Sequence, residues 1–345
     1  MVFSGTTLPV PGAGDPGVMM SGPMWMPVQP PTLARVLAWH PQPVPLLPLL
    51  VLVLLGLYGW GVVVLHRRGV RWPLARIIWW LLGLGTVLLV TATGIEGYGM
   101  ELFSIHMIQH MVLNMLAPVF LVLGAPMTLL LRGLPTGTGG RGRLRRGVLR
   151  VIQSRLAAFL THPAVTFGLF IMSLYGLYFT PVFDDLMGTW WGHNLMLVHF
   201  LLIGFLYFWR IIGADPSPRN PTRGFRRVAG PVLPVLELAA TAPFHAFFGV
   251  VVMMSTSLMV AFYARPIPGW HVSPLADQAA GGGIAWAFTE LPTLLVLGAL
   301  VAKWQKSDQR ATRAAERRAA RDGNTDLADY NAYLESLHRR TGSGH

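Results

Sequence analysis

The chain has 345 residues, of which 53% are hydrophobic and only 12% charged, and its mean hydropathy is +0.50. A soluble domain carries about 25% charged residues, so this balance points to the bilayer and excludes an ordinary soluble globular protein. The formal net charge of +12 would suggest nucleic acid in a soluble chain, and the absence of cysteine excludes disulfides, thiolate metal sites and a cysteine nucleophile.

Residues 1–43 are rich in Pro and Gly, with no Lys or Arg before Arg35. A secretory signal needs a basic start and then a compact apolar run. The segment reads instead as a flexible extracytoplasmic leader. Its MMSGPMWMP stretch sets Met19, Met20, Met24 and Met26 around Trp25. Those thioethers suit the soft ion Cu(I), or the stretch simply skims the membrane. Seven segments then reach the ~20 apolar residues that a helix needs to cross the hydrocarbon core: 45–65, 74–94, 105–131, 163–181, 191–211, 232–260 and 283–302. Pro118 and Pro126 predict a kink or tilt in the third.

The expected fold class is therefore all-α: a polytopic membrane bundle of seven transmembrane helices over residues 44–303, followed by a charged cytoplasmic tail over 304–345. In the tail, 306–321 is a charged, Ala-rich, helix-prone run. DGNT breaks it, and LADYNAYLESL can start a short amphipathic helix.

The cations set the expected orientation. The loops at 66–76, 132–161 and 210–231 hold four, seven and five Lys or Arg, and the tail after 302 holds nine. Together these are 25 of the 27 basic residues. The alternate loops hold Glu96, Glu101, Asp184, Asp185 and Asp277, with only Arg265 for balance. Basic residues stay on the cytoplasmic side, which puts the N-terminus outside and the C-terminus inside. The positive charge is then a topology signal, and no nucleic-acid partner is expected.

Ionisable groups within spans are costly, so each needs a reason. The candidates are His106, His110, His193, His199, Glu237, His245 and Glu290. With 1.5 Å of rise per residue, His106 falls at the outer boundary and His110 one turn deeper. His193 lies at the mouth of the fifth span, and His199 roughly 9 Å further in. Glu290 reaches a similar depth, His245 lies nearer mid-membrane, and Glu237 near the cytoplasmic end. Asp215, in GADPSPR, reads as a loop-turn residue.

His106 and His110 are spaced i, i+4, so their imidazoles share a helix face and can hold one metal ion. His193 and His199 are six apart and diverge, which makes them alternatives to each other. Met196, three residues from both, can share a face with either. Met107 and Met111 neighbour the first pair but project about 100° away. Imidazole with thioether suits Cu(I). The competing reading is that buried histidines only hydrogen-bond across helices, and that Met111 and Met196 are apolar packing. Glu290 sits just before Leu291 and Pro292, where it serves as a ligand, a proton acceptor or a structural hydrogen-bonding group. No lysine lies inside a span, which excludes a retinal-type Schiff base. No nucleophile–base set is visible, so the chain is not expected to be an enzyme.

Several stretches resemble the CtaG family, multi-pass assembly factors of caa3-type cytochrome c oxidases. They are HMIQHMVLNMLAPVFLVLGAP at 106–126, FLTHPAVTFGLF at 159–170, YFTPVFDDLMG at 178–188, FLYFWRIIGADPSPR at 205–219, PFHAFFGVVVM at 243–253 and PLADQAAGGGIAWAFTELPTLL at 274–295. The resemblance runs in order from about residue 45 to 302. It implies a bacterial cytoplasmic-membrane protein that helps make a haem–copper oxidase, with the oxidase subunits as partners. The role it suggests is supplying copper. Carried over by motif are His106, His110, His193, His199 and His245, with Asp277 and Gln278 in a loop at the outer mouth of helix seven. Some members of that family carry a fused copper-resistance domain, which 345 residues are expected not to hold.

The function expected is Cu(I) binding at the outer membrane face through His106 and His110 with help from the fifth helix, and delivery to the oxidase. Met196, His245, Glu290, Asp277, Gln278 and Met111 are possible supporting residues. Two other readings stay open: a haem-binding protein with His110 and His199 as axial ligands, and a metal-free scaffold or transporter. Oligomeric state is not legible.

Overall fold

The computed structural model describes residues 21–137, 142–216, 232–265, 269–321 and 325–342. Met19, Met20 and the arginines at 141, 219, 223, 226 and 227 lie outside them. The described residues are helical, with two isolated β-bridges, Ser21 to Thr189 and Trp39 to Thr93, and no strand. Six helices are long and apolar enough to cross a membrane, and a bent pair makes up to seven. The chain is a multi-pass membrane protein.

The spans are α1 (Leu46–Arg67), α2 (Leu74–Thr91), α3 (Phe103–Gly133), α4 (Pro163–Tyr178), α5 (Trp190–Ile212), α6 (Val232–Met254) and a last one that opens with helix α7 (Pro274–Phe288) and runs on past it, within Pro274–Arg317. α3 is the enclosed one: 67% of its apolar window is buried, against 22% in α1. It packs against α2, α5 and α7, while α6 packs on α7 and α4 on α5 and α6. Bare backbone lets α6 and α7 touch. A Cβ added at Gly282 would lie 2.4 Å from the Met253 nitrogen, and one at Gly249 2.8 Å from the Gly282 carbonyl. Such small-residue contacts replace the hydrophobic drive that lipid cannot supply.

Four spans depart from the expected limits, the simplest being α6, which ends at Met254 and not near 260. α3 is bent as its prolines require, by two devices. Val112–Leu116 is a π-helical turn, and Pro118 opens the α-helix after it. Ala125 then takes a left-handed φ of 51°, and Pro126 restarts the helix. α4 has only 16 residues, short of the ~20 a straight crossing needs. Before it, helices Arg143–Ile152 and Arg155–Leu160 lie at 68° to α4. The seventh span holds as such only if that bent pair counts as one. Finally, helix α7 begins at Pro274 rather than near 283, because Pro at the first helical position is already set in φ. Asp277 and Gln278 therefore stand in its first turns and not in a loop.

By contact, the chain divides into residues 1–296 and 297–345. The second unit is helical to Arg321, as part of α8 (Glu290–Arg321), and again in α9 (Thr325–Gly342).

Candidate functional site

The i, i+4 spacing does what helix geometry dictates. The imidazoles of His106 and His110 lie on one face of α3, with ring centroids 3.9 Å apart. α5 begins at Trp190, capped by the Thr189 hydroxyl, which accepts from the Gly192 N–H. That start places His193 against the pair, its ring 5.6 Å from that of His106. All three side chains are fully buried. Phe183 stands 5.2 Å from His106, and Phe200 4.2 Å from His110. Tyr263 closes the site near His106, and its hydroxyl donates to the Gly99 carbonyl, 2.6 Å.

The polar bookkeeping is unusual. Buried polar groups in proteins are nearly always hydrogen-bonded, and leaving one unpaired costs about 1–3 kcal/mol. Here only Nδ1 of His110 is paired, with the Tyr178 hydroxyl at 2.6 Å. Both ring nitrogens of His106, both of His193 and Nε2 of His110 have no hydrogen-bond partner. The Gly99 carbonyl, which accepts from Tyr263, also approaches the His106 ring, though short of ordinary hydrogen-bond geometry. One helical turn beyond His110, Asn114 sits in the π turn with both amide atoms buried and unpaired. Its backbone lies so close to α5 that a Cβ on Gly204 would fall 2.0 Å from the Asn114 carbonyl oxygen. π turns recur at functional sites, and this one follows directly on the histidine pair.

The other candidates are dispersed. His199 faces outward on α5 and pairs through Nε2 with the Ser173 hydroxyl, 2.8 Å. Of the two divergent histidines, the structure therefore brings in His193, and His199 does not join His110. Met196 is buried on α5. Met111 is buried and its sulfur lies 3.1 Å from Nε2 of His245, across on α6. Glu290 is exposed at the start of α8. Among the described residues, no group of three or more His, Asp or Glu is arranged as a ready metal-holding set.

Asp277 and Gln278 brace the site instead of joining it. The Asp277 carboxylate accepts from the Phe103 N–H at 2.6 Å and from the N–H and hydroxyl of Ser104. It thus caps the first turn of α3 from another helix, satisfying donors that a helix start leaves open. Gln278 holds the loop after α6, accepting from the Met259 N–H and donating to the Ser257 carbonyl. Asp184 does the same for Phe262, 2.8 Å.

At the other end of the bundle Asp215 is no mere turn residue. It accepts from the N–H groups of Met127 and Thr128, capping the helix that restarts at Pro126. Burial raises its carboxyl above the ordinary value, against those hydrogen bonds. Arg210, counted from the sequence among loop cations, is buried in the last turn of α5, where it forms an ion pair with Glu237 and donates to Thr166.

Residues 21–43 lie over the histidine end. Trp25 stacks on His40 at 3.7 Å, Gln42 is bonded to the Trp25 backbone, and the Tyr98 hydroxyl donates to Gln29. In the short helix Gly94–Gly99 of the same region, burial pushes the Glu96 carboxyl up to about 8.

Sequence reasoning missed Tyr178, Phe183, Tyr263 and Asn114. The first two fall in YFTPVFDDLMG, a stretch notable only as a resemblance. Nothing in the local sequence marks the π turn.

Residues 56–307 match the family described as cytochrome c oxidase caa3 assembly factor. The chain is similar to an uncharacterized protein of Mycobacterium bovis and to one of Mycobacterium tuberculosis. With each it is 44% identical over 316 residues, or 90% of this chain and 46% of the relative. An uncharacterized protein of Mycobacterium leprae is 42% identical over 295 residues, or 83% of this chain and 43% of the relative. The chain thus spans a little under half the length of these relatives. No solved structure matches.

Proposed function

The chain belongs to the caa3 cytochrome c oxidase assembly factors, and we propose that it serves a haem–copper oxidase by binding Cu(I) at its histidine end and passing the ion on. The observation that carries this is the set of five unpaired ring nitrogens on three buried, adjacent imidazoles. Such a set is costly to keep empty-handed and becomes favourable when an electrophile occupies it. Copper is the cargo. His106 and His110 would hold it, with His193 from α5. Imidazole suits copper among several transition metals, and a set without thiolate or carboxylate leaves the ion exchangeable; the choice of copper rests on the family. The Tyr178 hydroxyl fixes His110 through Nδ1 and leaves Nε2 for the ion, as ligand histidines are oriented through their second nitrogen.

The arginine distribution supports the histidine end facing outward, with the C-terminus in the cytoplasm and the bilayer being the bacterial plasma membrane. That is the side on which the leader's thioethers would first meet copper. The partner on this reading is an oxidase subunit.

The test is metal analysis of the purified protein after anaerobic Cu(I) loading, beside the His106→Ala/His110→Ala variant. The wild type is expected to retain copper and the variant to lose the copper held at this cluster, with oxidase activity in the producing cell falling accordingly. A wild type that retains no Cu(I), together with normal oxidase activity in His110→Ala cells, would overturn the reading.

A further inference from the structure

We infer a second soft-cation site deeper in the bundle, built from His245, Met111 and Met115. It rests on the reading of the histidine cluster above, which supplies the cation, and it extends that reading from holding an ion at one end to moving it inward.

His245 is 1% exposed on α6. Its Nε2 meets only the sulfur of Met111, at 3.1 Å, and its Nδ1 has no hydrogen-bond partner. A thioether is a poor acceptor, so as a hydrogen bond the contact returns little for burying an imidazole. As a donor pair for Cu(I), imidazole and thioether are well matched.

His245 lines a cavity of about 10 Å³ together with Met115, Tyr207, Thr241, Thr289 and Thr293, the rest of the wall being apolar and Met111 meeting His245 without lining it. That is room for one water-sized occupant. The three threonine hydroxyls donate to helix carbonyls: Thr241 to Leu238, Thr289 to Ala285 and Thr293 to Thr289. Thr241 is also bonded to the Tyr207 hydroxyl, 2.8 Å, so it is the lone pairs of Thr289 and Thr293 that remain for the cavity, a lining that favours a cation. Met111 and Met115, spaced i, i+4, are both buried on α3. Met111 directly follows His110 in the chain, so the shallow cluster and the deep pair are borne on neighbouring residues of one helix.

The experiment loads the full-length protein with Cu(I) anaerobically, counts copper per chain by mass spectrometry and reads its ligands by copper K-edge absorption. The wild type is expected to hold a second copper per chain, with sulfur in the first shell. Met111→Leu/Met115→Leu, a swap of nearly conserved volume, should lose that copper and the sulfur signal. His245→Gln should lose it as well. His106→Ala/His110→Ala should keep it and lose the other. A single copper with nitrogen ligands only, untouched by His245→Gln, would overturn the second site, assign the cavity to water and leave the first reading standing. Loss of all copper in His106→Ala/His110→Ala would make the two one site and also overturn it. No copper in the wild type would overturn both.

Discussion

Two clusters of buried polar residues lie in this bundle, and they are built on opposite rules. Around Arg210 the charge is met from within: Glu237 neutralises it and Thr166 accepts from its Nε, although Oε1 of Glu237 is left without a hydrogen bond. Around His106, three imidazoles hold five ring nitrogens without a hydrogen bond, only the Gly99 carbonyl coming near one of the rings. A closed network holds a fold together, whereas an open one leaves bonding capacity for something that arrives.

The largest expected effect comes from opening the closed cluster. Glu237→Ala strands the Arg210 guanidinium in an apolar surround and should cost about 3–5 kcal/mol, read as a lowered melting temperature in detergent and a poor yield. A variant that melts like wild type would erase the distinction. Next comes the brace between clusters and loops. Asp277→Ala removes the cap on the first turn of α3 and should cost about 1–2 kcal/mol. It should also weaken Cu(I) retention, because His106 sits one turn below that cap. Retention equal to wild type would show that the cap is irrelevant to the site.

A smaller, pH-dependent effect belongs to Glu96, held up at about 8 by burial. The folded chain keeps this proton where the unfolded chain has released it. Stability should therefore fall as pH rises from the ordinary carboxylate range to about 8. Glu96→Gln should match wild type near pH 5 and melt higher than it above pH 8. Parallel melting curves across that window would refute the assignment. The smallest effect is the most telling. In the absence of metal, His193→Leu should melt at or above wild type, because it removes two unpaired polar atoms and keeps apolar volume. A large destabilisation would mean that the imidazoles are paired within the fold after all.

Much of this was legible in the sequence, for reasons of periodicity. Apolar runs of the right length gave the spans, the i, i+4 rule put His106 and His110 on one face, and a six-residue step sent His193 and His199 apart. The structure then chose His193. Features that depend on distant partners were hidden. Asp277 caps Ser104 from 173 residues away, and Asp215 caps Thr128 from 87, so each looked like an ordinary loop acid. Glu237 stands out in the sequence as an ionisable group, but its partner Arg210 reads there as one more loop cation. The fourth span misled because α4 is short and the basic segment before it is helical too. The π turn left no trace, since VLNML is as good an α-helical sequence as its neighbours.

That π turn has a further consequence. It holds one residue more than an α-helical path between the same ends would need, so α3 is two helices whose phases are offset. Deleting a single residue within 112–116 would let the turn relax to plain α-helix. The half that bears His106 and His110 could stay in place. The half beyond it would keep its place only if the lost residue were the surplus one; any other register would rotate Pro126 and its neighbours by about 100°, away from Asp215. The segment is thus a phase adjuster, and the length of the chain across it is as strongly specified as any side chain in the site.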